Sequence, residues 1–292
     1  MAIDIANKID AEIINADSMQ IYKDLNILSA QPSTKEMSKI KHHLFGEIEI
    51  TKSFSVGIWI NLVKKKIKLI NSQGKIAILV GGTGLYLNSA MNGISKIPNI
   101  DESIKNKTND LFLKLGRENF FNYFCDIDPE GSQNILPSDT QRLMRACQII
   151  LQTQKSILWW HNQKYSKPIF KNAKSILILP DKKILYDKIN KRFDHMIDDG
   201  LIDEIKSIKL KNFSSNLPGM KALGLKHILQ YLDGMLSFSE AINLAKRDSR
   251  RYAKRQITWF KNSFKSDFII NSIYSKKNVS IFDLEKIVKI ND

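Results

Sequence analysis

The pattern of apolar and polar positions predicts alternating strands and helices in the first third of the chain. Apolar residues at helical spacing predict a short helix over 1–9 and an amphipathic helix over 56–70. Continuous apolar runs predict buried strands at 11–15 and 76–80. Residues 42–50 are expected to form a loop that leads to a short strand. This alternation is typical of an α/β fold with a parallel sheet.

The pattern changes after Pro98. Residues 101–165 show helical spacing without strand signals, and a buried strand is predicted again at 175–179. Four amphipathic helices and a last strand are then predicted, at 182–199, 201–211, 220–232, 238–262 and 267–271. We therefore expect a helical insertion domain, 99–170, set between strands of one sheet, with 1–98 and 171–292 forming the α/β core domain.

Composition narrows the class of protein. The 292 residues are 43% hydrophobic and 26% charged, which is ordinary for a globular chain. Two cysteines, Cys125 and Cys147, fit neither a disulfide framework nor a paired-cysteine metal site, and the five histidines show no metal-ligand spacing. No apolar run approaches the roughly 20 residues of a membrane span, and no signal peptide begins at Met1. We expect a cytoplasmic protein that does not bind membranes.

The net charge of +15 indicates a polyanionic partner. Basic residues are densest on the predicted helix 238–262. Arg247, Arg251 and Arg255 follow one another at four-residue spacing, and each like-charged pair costs a few tenths of a kcal/mol in an isolated helix. A docked nucleic acid would offset that repulsion, which makes Arg251 and Arg255 candidate RNA contacts. A plain solvated face is the alternative.

Two strand ends carry candidate chemistry. Asp17–Gln20, "DSMQ", follows the strand at 11–15, where polar side chains usually face a cleft. The strand at 76–80 ends in "GGTGLY", in which Thr83 has the N-cap position of a helix whose amides could bind an anion. An ordinary tight turn is the alternative, and the Gly-x4-Gly-Lys-Ser/Thr phosphate loop does not occur in the sequence.

A third candidate lies in the predicted insertion. "SDTQRLMRACQIIL" is a well-marked helix that Ser138 or Asp139 can cap. Arginine and glutamine side chains near its start, from Gln141 to Arg145, suit phosphate and base-edge contacts. A solvated helix face explains them equally.

Five segments together resemble, in order and spacing, the tRNA dimethylallyltransferases: "INADSMQIYKDLNILSAQPS", "LVGGTGLYLNSAMNGI", "DTQRLMRACQIIL", "GMKALG" and "RRYAKRQITWFKN". The resemblance runs from about residue 1 to residue 262, and "ADSMQIY" with "LVGGTGLY" is specific as a pair. It implies a P-loop-NTPase-like parallel-sheet core with an inserted, mostly helical domain that contacts tRNA. It also implies an enzyme that, assisted by Mg²⁺, transfers a dimethylallyl group from dimethylallyl diphosphate to N6 of the adenosine 3′ to the anticodon in the tRNA anticodon stem-loop. We expect this enzyme to be a monomer, although no motif in the sequence addresses oligomeric state.

The resemblance also implies roles for single residues. Asp17 matches the general base, Thr83 the residue that stabilises the diphosphate leaving group, and Arg192 an arginine that reaches the diphosphate. The positions that match tRNA-contacting segments are Asp17, Ser18, Met19, Gln20, Thr83, Lys105, Gln141, Arg142, Leu143, Met144 and Arg145.

The sequence departs from the family pattern at three points. The family's phosphate loop and the strand before it have no counterpart in this chain, Lys105 replaces an arginine, and Leu225 replaces a tyrosine. One explanation of the missing phosphate loop is an upstream start that the sequence omits. The other is a real loss, which would leave a catalytically impaired tRNA-binding remnant. An adenylate isopentenyltransferase is a further alternative, but a free nucleotide needs neither the helical insertion nor the arginine-rich helix.

Overall fold

The computed structural model describes residues 1–163, 166–170 and 172–275, within two compact units. One unit comprises 1–91 and 169–292, and the other comprises 92–168. Residues 276–292, at the end of the predicted core domain, lie outside the described part of the chain. Within that part, no helix is both long and apolar enough to cross a membrane.

The first unit begins with alternating helices and strands, as the apolar pattern predicts. The elements are α1 (Ala2–Lys8), β1 (Ala11–Asn15), α2 (Thr34–Met37), β2 (His42–His43), α3 (Val56–Ser72), β3 (Ile76–Val80) and α4 (Gly84–Asn92). The three strands form a parallel sheet in the order β2-β1-β3, with Ile13 opposite Ile78. All five residues of the central strand β1 are buried, because β2 and β3 cover its edges while α1 and α3 pack against it.

The chain returns to this unit after residue 168. The elements are β4 (Ile176–Ile178), α9 (Lys182–Asp198), α10 (Leu201–Leu210), a 3-10 helix (Pro218–Lys221), α11 (Leu225–Leu232), α12 (Phe238–Ser263) and β5 (Phe268–Ile270). β4 and β5 pair in parallel as a separate sheet, so the expectation of one sheet was wrong for the described strands.

The predictions of full burial for β3 and β4 were also wrong. Both strands are partly exposed, and Ile178 of β4 keeps 38% of its surface accessible. Both line the same apolar cavity of about 1150 Å³, which also contacts Arg192 and Gln256. Among the described strands, β3 and β4 each pair on one side, and both contribute residues to the wall of this cavity.

Two helices of the first unit show how local sequence sets helix limits. The helix predicted at 220–232 begins only at Leu225, because the 3-10 helix ends at Lys221 and Gly224, the residue before α11, has a φ of +89° that is not helical. α12 matches its prediction within one residue and begins with a capping box between Ser237 and Glu240. Its buried residues repeat at helical spacing and are Ala241, Ile242, Ala245, Ala253 and Phe260.

The second unit is helical in its described residues, as predicted. It contains α5 (Glu102–Ile127), α6 (Pro129–Ser132), α7 (Thr140–Thr153) and α8 (Ile157–Asn162). α5 is two helices that meet at Gly116, whose φ of +70° interrupts the regular backbone. The core of the unit contains Phe120 and Phe124 from α5 and Leu143 from α7. Cys147 is buried in this core, and burial raises its pKa to about 12, so its thiol packs as a small hydrophobe.

Candidate active site at the carboxyl ends of β1 and β3

Asn15, the last residue of β1, organises the polar segment that follows it. Its side chain is fully buried, donates to the carbonyls of Asp17 and Leu44 over 2.9 Å each, and accepts from the Asp17 amide over 2.7 Å. The backbone carbonyl of Asn15 accepts from the indole of Trp59 over 2.8 Å. Because these buried polar groups satisfy one another, the chain turns at one defined point after the strand.

Asp17 lies in a tight turn that uses one of its carboxylate oxygens. Oδ1 accepts from the amide of Met19 over 2.8 Å and, less well, from that of Gln20 over 3.4 Å. The other oxygen, Oδ2, lies 3.8 Å from the position that a Cβ on Gly82 would occupy. The turn therefore fixes the carboxylate through Oδ1 and leaves Oδ2 directed at the glycine turn.

Thr83 joins the ends of β1 and β3. Its hydroxyl oxygen accepts from the Ser18 amide over 2.9 Å and donates to the Ser18 hydroxyl over 3.3 Å. Its own amide donates to the carbonyl of Ala16 over 3.2 Å. The residue precedes the first helical residue of α4, as the N-cap prediction requires, and its hydroxyl is committed to the neighbouring strand end.

The glycines of "GGTG" permit this close approach. A Cβ on Gly81 would lie 2.2 Å from the backbone of Ala16, and one on Gly84 would lie 2.2 Å from the ring of Trp259. Neither distance is compatible with a side chain, so a residue larger than glycine would push the turn away from β1 or from α12.

Arg192 reaches the same region from α9. It lines the cavity beside Gly81 and Gly82, and surrounding protein lowers its pKa while the nearby carboxylate of Asp17 acts in the opposite direction. An arginine stays charged under such a shift. The predicted residues Asp17, Thr83 and Arg192 therefore come together in one unit.

Aromatic side chains lie near the polar segment that follows β1. Trp59 and Tyr86 stack with centroids 4.6 Å apart, and Trp59 is fully buried. Burial, followed by the neighbouring charge of Asp17, raises the pKa of Tyr252. Burial likewise raises the pKa of Tyr86, with smaller effects from Tyr22 and Asp17. Both phenols therefore stay neutral beside the carboxylate.

The two other residues of the "DSMQ" turn differ in their contacts. The amide nitrogen of the Gln20 side chain donates to the carbonyls of Ser29 and Ala30 over 3.0 and 2.8 Å, so it braces the loop after the turn. The Met19 side chain is partly exposed beside Asp17. The described hydrogen bonds include none with the Met19 side chain, so of these two side chains only Gln20 braces the loop.

The basic face of α12 is less repulsive than its sequence indicates. Arg250 donates to the Asn190 side chain over 2.7 Å, and Lys246 forms an ion pair with Asp194. The carboxylate of Asp248 forms ion pairs with Arg247 at 3.3 Å and with Arg251 at 3.8 Å. The exposed side chains of Arg251 and Arg255 point away from the core, and Arg255 lies 5.5 Å over the ring of Tyr252.

The predicted contacts in the second unit lie on α5 and α7. Asp139 caps α7 by accepting from the Arg142 amide over 3.2 Å, and the Arg142 side chain lies 3.3 Å from the same carboxylate. Leu143 is fully buried, and Met144 is partly buried against the same core, so the Leu143 side chain does not form part of the surface. The predicted residues of this unit that remain at its surface are Lys105, Gln141, Arg142 and Arg145.

The described residues contain no group of three or more His, Cys, Asp or Glu that could hold a metal ion. The site instead offers hard oxygen donors from Asp17, Ser18 and Thr83. Mg²⁺ commonly binds through one or two such protein oxygens together with substrate phosphates and water. The donor set therefore fits Mg²⁺ delivered with a diphosphate.

Sequence reasoning missed three residues that shape the site: Asn15, Gln256 and Tyr252. The apolar pattern includes Asn15 only as the end of a strand, although a buried amide at a strand end was a usable signal. The same pattern places Gln256 and Tyr252 on the core face of α12. Their polar groups within an apolar stripe were the sign that they face another polar site, and Gln256 donates to the Gly82 carbonyl over 2.8 Å.

Comparison with known proteins gives a consistent set of relatives. The IPP transferase family model matches residues 20–263. A tRNA dimethylallyltransferase of Ehrlichia chaffeensis is 38% identical over 272 residues, which cover 93% of this chain and 89% of the relative. A tRNA dimethylallyltransferase of Rickettsia bellii is 41% identical over 268 residues, covering 91% and 85%.

Solved structures agree with this relationship. The tRNA isopentenylpyrophosphate transferase of Bacillus halodurans superposes with a TM-score of 0.67 at 31% identity, covering 99% of this chain and 93% of that one. A eukaryotic dimethylallyltransferase acting on tRNA superposes with a TM-score of 0.81 at 22% identity, covering 100% and 77%. At that identity the second likeness concerns the fold alone.

Proposed function

The chain belongs to the IPP transferase family, and from this premise we propose that it uses the site around Asp17 and Thr83 to prenylate tRNA. It transfers a dimethylallyl group to an adenosine of tRNA. The proposal adds that the donor is dimethylallyl diphosphate and that the acceptor is N6 of the adenosine 3′ to the anticodon. The observation that supports it most directly is the fixed carboxylate of Asp17 beside the hydroxyl of Thr83 and the guanidinium of Arg192.

Asp17 is the proposed general base. An adenine amino group is a weak nucleophile because its lone pair is delocalised into the ring, and a carboxylate that accepts its proton increases its reactivity. Oδ1 is held by the Met19 amide, so Oδ2 is the oxygen that we propose accepts from the amine.

Thr83 and Arg192 are the proposed diphosphate contacts. As the C–O bond to the dimethylallyl group breaks, negative charge develops on the diphosphate, and donors already in place stabilise it. The Thr83 hydroxyl, whose proton would turn from the Ser18 hydroxyl to the diphosphate, lies at the same end of the sheet as the Arg192 guanidinium and the first amides of α4.

The transfer balances without a further reactant. The N6 lone pair forms the new N–C bond to the dimethylallyl carbon, the C–O bond breaks with its electron pair leaving on the diphosphate, and the N6 proton goes to Asp17 Oδ2. Mg²⁺, when bound with the diphosphate, would neutralise charge on its oxygens. Ser18 and Thr83 are the protein oxygens that would face it, because Asp17 Oδ1 is held by the Met19 amide and Oδ2 takes the proton.

The tRNA is proposed to contact both units. Chemistry on N6 requires the adenine to leave its stack, and Ser18, Met19 and Gln20 are proposed to hold the extruded base. Arg251 and Arg255 on α12 would contact phosphates. In the second unit the proposed contacts are Lys105 and residues 141–145, with Leu143 contributing its backbone because its side chain is buried. We further propose that the enzyme works as a monomer in the cytoplasm, where tRNA is available.

One assay tests the proposal. Purified chain is incubated with radiolabelled dimethylallyl diphosphate, Mg²⁺ and either an anticodon stem-loop RNA with the target adenosine, the same RNA with guanosine at that position, or AMP. We expect label on the adenosine RNA alone. Transfer to AMP instead would identify an adenylate isopentenyltransferase. Binding of RNA without transfer to any acceptor would identify a tRNA-binding remnant.

A further inference from the structure

A contact between α12 and the glycine turn connects the basic helix to the active site. The side-chain amide nitrogen of Gln256 donates to the carbonyl of Gly82 over 2.8 Å, between residues 174 positions apart. Trp259, one turn further along the same helix, packs against Gly84. Two adjacent positions on one face of α12 thus contact the turn on either side of Thr83.

The turn needs such a support from outside itself. Gly81, Gly82 and Gly84 lack side chains, and glycine restricts its own backbone less than any other residue. A Cβ on Gly82 would lie 2.3 Å from the Gln256 nitrogen, so the absence of a side chain at 82 is what admits the amide.

The bond to Gly82 also determines the direction of the next amide. In a planar trans peptide unit the carbonyl oxygen and the following N–H point to opposite sides. With the Gly82 carbonyl directed at Gln256, the Thr83 N–H points away from α12 and donates to Ala16 over 3.2 Å. The Thr83 hydroxyl then lies where it accepts from the Ser18 amide over 2.9 Å.

We propose that Gln256 is a positioning residue for the transfer step, which acts by holding the Gly82–Thr83 peptide so that Thr83 faces the reacting diphosphate. This inference rests on the proposed function of Thr83. Gln256 contacts neither substrate in this scheme, so its loss changes kcat and leaves the affinity for tRNA in place.

Two near-isosteric variants test the proposal. Gln256→Met removes the donor, and Gln256→Glu replaces it with a group that donates only when protonated. Asn243→Asp, an exposed amide-to-acid change on the same helix, is the control. We expect kcat to fall about tenfold to a hundredfold in Gln256→Met, with KM for tRNA within about twofold of wild type.

The pH profile separates positioning from packing. In Gln256→Glu the new carboxyl would lie beside the Gly82 carbonyl and Asp17 Oδ2, in the cavity that Arg192 also lines, with Tyr252 one turn earlier on α12. The carboxyl gains its proton as pH falls toward the ordinary carboxyl value of about 4.3. The kcat ratio of the variant to wild type should therefore rise as pH falls and the acid form restores the donor. A ratio that does not change with pH, or a wild-type kcat in Gln256→Met, would overturn the proposal.

A measurement without substrate keeps the inference separate from the proposed function. Hydrogen exchange of the peptide that contains Thr83 should be faster in Gln256→Met than in wild type and unchanged in Asn243→Asp. Equal exchange in all three proteins would exclude the positioning role even if wild type transfers no prenyl group. Faster exchange with an inactive wild type would instead refute the proposed function alone.

Discussion

The amide of Ser18 donates to the hydroxyl oxygen of Thr83 over 2.9 Å, and this bond joins the ends of two parallel strands across 65 residues of sequence. It places the carboxylate that follows β1 beside the turn that follows β3. A shift of either strand end therefore moves the proposed base relative to the proposed diphosphate contact.

Replacing Asp17 by asparagine should abolish most of the rate. The oxygen of the introduced amide can still accept from the Met19 amide, so the turn should persist while the proton acceptor is lost. We expect kcat to fall about 10²- to 10⁴-fold with tRNA Kd unchanged, measured by single-turnover transfer and filter binding. Asp10→Asn, at an exposed carboxylate outside the site, should keep full activity.

Thr83→Val should separate the contribution of the Thr83 hydroxyl from that of the shape of the side chain. The Ser18 amide loses its acceptor, which costs about 1 kcal/mol in the free energy of unfolding, and the diphosphate loses a donor. Chemical denaturation and kcat measure the two effects. Thr83→Ser keeps the hydroxyl and should retain most of the activity; equal loss in both variants would argue against the hydroxyl's role.

Gly81→Ala should destabilise the protein by about 1–3 kcal/mol, because the added Cβ meets the Ala16 backbone at 2.2 Å. The strand ends would separate and transfer would slow. Gly57→Ala is the matched control, since its Cβ would meet only the Ser55 hydroxyl at 3.8 Å. That change should leave stability equal or raise it by up to about 1 kcal/mol, and thermal unfolding compares the two.

Arg251→Ala and Arg255→Ala should each weaken tRNA binding and reduce the slope of log Kd against log salt concentration by about 1. The reason is that each phosphate contact releases a condensed counterion. Lys206→Ala removes an exposed charge on α10 and should leave that slope unchanged. Unaltered slopes in both arginine variants would remove α12 from the proposed RNA surface.

Glu12→Gln should lower stability in a pH-dependent manner. Burial acts to raise the pKa of Glu12, but hydrogen bonds from His43 and Lys75 outweigh it and hold the pKa below the ordinary value. Its contribution is therefore present above the unfolded-state pKa and is lost as pH falls through the folded one. We expect a loss of about 1–2 kcal/mol at pH 7, which shrinks toward pH 3 in urea titrations. Glu47→Gln, at an exposed pair with Lys66, should show little change.

Much of the fold follows from local sequence. Helical spacing predicts α3, α9, α10 and α12 within about two residues at each end, and Gly116 marks the break in α5. Such features depend on apolar periodicity and on glycine backbone freedom, which act over a few residues. The segments "DSMQ" and "GGTG" likewise identify two strand ends as chemical sites without any knowledge of the distance between them.

Only the tertiary structure decided how these segments meet. The pairing of β1 with β3 brings Ser18 to Thr83, and the packing of α12 brings Gln256 to Gly82. The tertiary structure also divides the described strands between two sheets and leaves β3 and β4 partly exposed along a shared cavity. The chemical identity of each side chain is thus set by the sequence alone. Contacts across 65 and 174 residues depend on packing energies summed over the whole unit, which no local pattern encodes.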